Sequence, residues 1–119
     1  MRTAMALVFA ITLMAADPTV EKAKKDVAAK NYDAAITALE AAHKKNPKSA
    51  EVTTALADAL VAKGDSFMYN ESLPPRMKYP QALRAYREVL KYDKTNKKAQ
   101  QNIATIEGIY KSMGRPVPE

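Results

Sequence analysis

The sequence contains no cysteine and no tryptophan, only three glycines and a single histidine. Without cysteine, disulfides, thiolate metal sites, cysteine nucleophiles and a lipid-modified cysteine are all excluded. His43 stands alone beside Lys44 and Lys45, so a two-histidine metal site cannot form, and nothing in the pattern marks a nucleophile for it to activate. Gly64, Gly108 and Gly114 are isolated, which leaves no glycine-rich phosphate loop. Asp58, Asp65 and Glu71 do not follow the spacing of a calcium loop. The expectation is a chain with no enzymatic activity, no cofactor and no metal.

What the chain does contain favours helix. Hydrophobic residues make up 47% and charged residues 27%, the balance of a folded domain, and the abundance of Ala, Lys and Glu over Gly disfavours sheet. At 119 residues a single domain is expected. The net charge of +6 raises an acidic partner or nucleic acid as something to weigh. The lysines gather as Lys22, Lys24 and Lys25, then Lys44, Lys45 and Lys48, then Lys94, Lys97 and Lys98. These positions read as solvated helix ends and turns. No aromatic-basic motif accompanies them, which disfavours nucleic acid.

Residues 1–16, MRTAMALVFAITLMAA, combine one arginine with an uncharged run and two small residues. This resembles a secretory signal peptide and is shorter than the roughly 20 apolar residues of a comfortable membrane span. Cleavage at Ala15 or Ala16 puts Leu13 or Met14 at the position three residues before the cut, where a small residue is preferred. A buried first helix and an uncleaved anchor are the alternatives. The signal-peptide reading expects a periplasmic or secreted product of bacterial-type export that begins at Ala16 or Asp17.

Five helices are then expected between residues 17 and 114. Asp17 caps the first, with Pro18 at its opening position, and Asn31 tolerates the left-handed turn that ends it. The second helix, about Tyr32 to Lys45, carries Tyr32, Ala35, Ile36, Leu39 and Ala42 on one face and stops before Pro47. Ser49 caps the third, whose spacing through Leu60, Gly64, Phe67 and Met68 carries it to about Tyr69. Pro74-Pro75 predicts an extended segment, Pro80 the start of the fourth helix, and Asn96 the cap of the fifth. Gly114 and Pro116 end the fifth and leave residues 115–119 as a loose tail.

The second and fourth helices repeat one another. Ala82, Leu83, Tyr86 and Val89 occupy the positions of Ala35, Ile36, Leu39 and Ala42, at an offset of 47 residues. That offset is one period of about 34 residues plus an insertion of about 13, taken as residues 66–78. In the first repeat Tyr32, Ala35, Leu39, Ala42 and Pro47 match the second-helix signature of the tetratricopeptide repeat family. In the second, Leu56, Ala57 and Leu60 match the first-helix signature, and Ala82, Tyr86 and Val89 the second. Over about Asp17 to Met113 the chain therefore resembles that family. Ala35 with Leu39 and Ala82 with Tyr86 have its small-and-large logic, in which a small residue lets helices approach and a large one fills the next gap. The departures are Lys22 and Asp26 in the first helix, Lys94 in place of a proline, and the insertion.

The resemblance implies an all-α antiparallel helix-hairpin solenoid of about two repeats with the fifth helix as its terminal cap. It also implies a non-catalytic adaptor or scaffold that binds a peptide or helix of a protein partner. Carried over by position, the partner groove comprises Val20, Lys24, Val27, Thr54, Asp58, Val61, Gln101 and Thr105. Of the positions matching the family's carboxylate-gripping set, Val20, Lys24, Ala55, Lys98 and Asn102, only Lys98 fits. The insertion offers a second contact surface in Phe67, Met68, Tyr69, Leu73 and Arg76, with Tyr69 and Arg76 at its tip. Self-association is a further expectation for so few repeats. The alternatives are a structural subunit of a larger envelope assembly and a cytoplasmic nucleic-acid-binding module.

Overall fold

Three helix starts are set by short polar side chains. Asp17 Oδ1 accepts from the Thr19 N–H at 2.8 Å, Ser49 Oγ from Val52 at 3.3 Å and Asn96 Oδ1 from Ala99 at 3.0 Å. Each satisfies a backbone donor that a helix leaves free at its N-terminus. In the computed structural model, which describes residues 17–119, these caps open α1 (Pro18–Ala28), α3 (Ala50–Met68) and α5 (Lys97–Ser112). Between them lie α2 (Tyr32–Lys45) and α4 (Pro75–Tyr92). The described residues contain no strand. The segment 1–16, read as a signal peptide, lies outside the described residues.

Each apolar stripe is buried against a neighbour. α1 packs on α2, both meet α3, α3 and α4 form the longest hairpin, and α5 closes on α4. The core runs through Val20 and Ala23, then Ala35, Ile36 and Leu39, then Val52, Leu56 and Leu60, and on through Ala82, Leu83, Tyr86 and Val89 to Ile106 and Tyr110. Ala35 and Ala82 are completely buried, as the repeat register requires of residues at close helix contacts. This is an all-α solenoid of helix hairpins.

The helix ends bring one correction and one agreement. α1 ends with Lys30, not Asn31, in the left-handed conformation, at φ 63°. The Lys30 and Asn31 N–H groups donate to the Val27 and Asp26 carbonyls at 2.9 and 2.7 Å, so two end carbonyls are satisfied and Lys30 bears the steric cost. At the end of α5 the same pair of bonds, Gly114 to Lys111 and Arg115 to Tyr110, places the left-handed residue on a glycine, at φ 65°.

The insertion is the larger correction. α4 begins at Pro75, five residues before the expected Pro80, which lies inside the helix. Pro74 alone is extended, at φ −66° and ψ 152°, and Pro75 takes the first helical position, where a missing N–H costs nothing. Pro80 forfeits the bond to the Arg76 carbonyl, which sits on an exposed first turn where a lost donor costs least. The longer helix brings Tyr79, like Phe67 and Met68, against the core. The extra residues therefore lengthen both helices of the α3–α4 hairpin, leaving a short connection over Tyr69–Pro74 in place of a long returning loop. Residues 115–119, expected to be loose, lie back on α4. Arg87 Nη1 donates to the Pro118 carbonyl at 2.8 Å, and Val117 packs against the core.

Candidate functional site: the groove between the first and third helices

The groove follows from how α1 meets α3. α1 has a thin apolar stripe, Val20, Ala23 and Val27, with small residues opposite it on α3 at Ala55 and Ala59. Two helices that meet through such small side chains leave space between their flanks. A shallow cleft of about 320 Å³ runs over Val20, Lys24, Glu51, Thr54, Ala55 and Asp58. A deeper cavity of about 130 Å³ is floored by Ala23, Val27, Leu39 and Ala59, and shares Lys24, Ala55 and Asp58 with the cleft. The shared residues make the two spaces continuous. At one end Asp17 donates its N–H to Glu51 Oε1 at 3.1 Å, which ties the start of α1 to α3.

The rims carry opposite charges. Lys24 on α1 is exposed and 3.7 Å from Glu21. Asp58 on α3 has its carboxyl pushed above the usual carboxylate range, first by burial and then by the charge of Asp93, against the opposing pull of Lys24. The groove thus presents an apolar floor between one cation and one carboxylate held in an unfavourable setting. It suits an aliphatic side chain on the floor and hydrogen-bonding or charged groups at the edges.

Five of the eight groove positions read from the sequence, Val20, Lys24, Val27, Thr54 and Asp58, line these two spaces. Val20 is mostly core, at 1% exposure, and offers only an edge. Val61 is packed half-buried against the core. Gln101 and Thr105 are exposed on α5, where the Thr105 hydroxyl donates to the Gln101 carbonyl at 2.9 Å, and they do not join the α1–α3 groove. Ala55 and Glu51, which the groove reading left out, complete it.

The insertion positions separate. Phe67 and Met68 pack against the core. Leu73 is half-buried, whereas Tyr69, at 61% exposure, and Arg76 face solvent. Removing residues 66–78 therefore strips core side chains along with the exposed tip.

A polar cluster had no signal in the sequence. Asp65 Oδ1 accepts from the Tyr86 hydroxyl at 2.6 Å, and Asp65 Oδ2 accepts from Lys98 Nζ at 2.5 Å. Burial and the bond to Asp65 push the Tyr86 phenol far above its ordinary range, and the neighbouring Asn102 amide works the other way. Lys98 is shifted upward chiefly by the same carboxylate. The one position that fits the family's carboxylate-gripping set is thus already engaged within the chain, joining α5 to α3. Asn102 is buried, and its Nδ2 has no hydrogen-bond partner among the described residues.

Residues 26–66, from the last turns of α1 to near the end of α3, match the family model described as tetratricopeptide repeat. No curated protein and no solved structure matches the chain. The match spans about a third of the chain, and the hairpin solenoid around it is the architecture that such repeats build. Repeats of this family are generally protein-interaction modules.

Proposed function

We propose that the chain is a non-catalytic adaptor that holds a peptide or helix of a protein partner in the groove between α1 and α3, and that it does so after export to the cell envelope. The observation that supports the groove is the continuity of the cleft and the apolar cavity through Lys24, Ala55 and Asp58, the last two of which lie in the segment that matches the repeat family. An aliphatic side chain of the partner enters the cavity over Ala23, Val27 and Leu39, while Lys24 and Asp58 meet polar groups on either side. The signal-peptide-like composition of residues 1–16 supports the export.

Ala55→Met tests the groove, because it fills the cavity with apolar atoms and removes no charge. The partner then fails to co-purify while helicity and melting temperature stay close to those of the unchanged protein. Undiminished co-purification contradicts the assignment. Export is tested by N-terminal sequencing of the protein from fractionated cells. A start at Ala16 or Asp17 in the periplasm is expected, and intact Met1 in the cytosol contradicts it.

A further inference from the structure

A second cleft lies away from the α1–α3 groove and shares no residue with it. It is open, encloses about 570 Å³, and lies between the first turn of α4 and the last turn of α5. Its lining is Pro74, Pro75, Arg76, Tyr110, Met113 and Arg115. The volume falls in the range that binding sites occupy. Four of the six residues present apolar or aromatic surface, and Met113 is 47% exposed there. The other two are arginines, and no acidic side chain among the described residues lines the cleft.

Both guanidinium groups are available. The ion pairs among the described residues all use lysines, and neither Arg76 nor Arg115 takes part in one. The backbones that carry them are fixed. Arg76 follows Pro75 in the first turn of α4, and the Arg115 N–H donates to the Tyr110 carbonyl at 3.0 Å just beyond the left-handed Gly114. A guanidinium offers paired donors that match a carboxylate in two-point geometry. Two of them at the mouth of an apolar cleft, on a chain of net charge +6, define the complementary ligand.

We propose that this cleft is a second docking site and that its occupant is an acidic segment of a partner protein. Carboxylates of the segment lie at Arg76 and Arg115, and an adjacent aromatic or aliphatic side chain packs between Pro74 and Met113. The apolar walls distinguish this ligand from nucleic acid, which requires a longer basic track. Prolines on one wall and the fixed helix end on the other leave little ordering to be lost on binding.

The experiment uses the whole chain and a fluorescein-labelled peptide of alternating glutamate and phenylalanine, with a glutamine-for-glutamate peptide as control. Fluorescence anisotropy reads affinity, and the ¹³C-methyl signal of Met113 reports whether the peptide is in the cleft. The acidic peptide binds, shifts the Met113 signal, and weakens with added salt. Arg76→Gln and Arg115→Gln each cost about fivefold in affinity and together about tenfold or more, in line with hydrogen bonds to charged groups. A Lys44→Gln, Lys45→Gln double variant, which loses the same charge elsewhere, binds within about twofold of the unchanged chain. Because the methyl signal is read on the unchanged chain, the proposal stays testable if a variant fails to fold. It is overturned if the acidic peptide does not bind, or if the glutamine peptide binds equally well. It is also overturned if the lysine variant loses as much as the arginine variant, if Met113 is unmoved, or if phosphatidylglycerol vesicles are the only probe that binds.

Discussion

The ring of Tyr86 lies on Gly64 so closely that a Cβ at position 64 would stand 2.6 Å from Cε1 and 2.9 Å from Cδ1. α3 and α4 meet face to face at this point, and the missing side chain is what lets the tyrosine through to Asp65. Gly64 is mid-helix, where glycine by itself is unfavourable, so its place there is explained by the close approach.

Gly64→Ala is therefore expected to destabilise the domain despite its better helix propensity. Overpacking of this kind costs about 1–3 kcal/mol, and the ring, buried on all sides, has no room to yield. In a thermal melt the variant loses ~4 °C or more. Adding Tyr86→Leu makes the pair less harmful than the sum of the two single changes. Strict additivity would show that the ring and position 64 are not in contact.

Tyr86 also links stability to alkaline pH. Its folded phenol is raised well above the ordinary value of 10.0, so the protonated form is favoured in the folded chain. The stability this supplies is complete below the unfolded phenol value and is lost as pH rises beyond it. Tyr86→Phe is expected to cost about 1–2 kcal/mol at neutral pH through the lost bond to Asp65 and to flatten the fall in stability above about pH 10. Equal alkaline slopes for the two proteins would contradict this.

Helix caps and buried stripes were legible in the sequence because each is a local pattern. Asp17, Ser49 and Asn96 announce starts a few residues away, and Ala35 with Leu39 announces a face at helical spacing. Pro80 misled because a proline normally opens or breaks a helix, and nothing local showed that Tyr79, Phe67 and Met68 would outweigh one lost bond. Asn31 misled in a similar way. It is the residue type that tolerates a left-handed turn, yet the phase of α1 put Lys30 at that position. Asp65, Tyr86, Lys98 and Asn102 had no common spacing, since they sit on three different helices. Of the groove positions, Val20, Lys24, Val27, Thr54 and Asp58 line the α1–α3 spaces and Val61 packs against the core, while Gln101 and Thr105 depended on where α5 lies, which no spacing within that helix reports.

Lys30 marks an avoidable strain. A side chain in the left-handed region costs about 1–2 kcal/mol relative to glycine's freedom there, and Lys30 is exposed. Lys30→Gly is expected to raise stability by about 1 kcal/mol, and a chemical denaturation midpoint measures it. A lower midpoint would mean that position 30 does not hold the left-handed conformation.

Asp58 is expected to oppose folding when ionised. Its folded value is raised, so its favourable contribution is present only while the unfolded carboxyl is also protonated, and it disappears as pH rises through the folded value. Asp58→Asn therefore raises the melting temperature at neutral pH, and the gain vanishes near ~pH 3. A melting temperature that falls at neutral pH would show that the Lys24 attraction outweighs burial and Asp93.

The account rests most heavily on a partner segment lying between α1 and α3. A photo-crosslinker at Thr54 in the native cell, compared with one at Glu107 on the exposed side of α5, measures this directly. The expected result is a discrete protein adduct from Thr54, none from Glu107, and loss of the Thr54 adduct when Ala55→Met fills the cavity beneath it. The same adducts from both positions, or a Thr54 adduct that Ala55→Met leaves intact, would contradict the account.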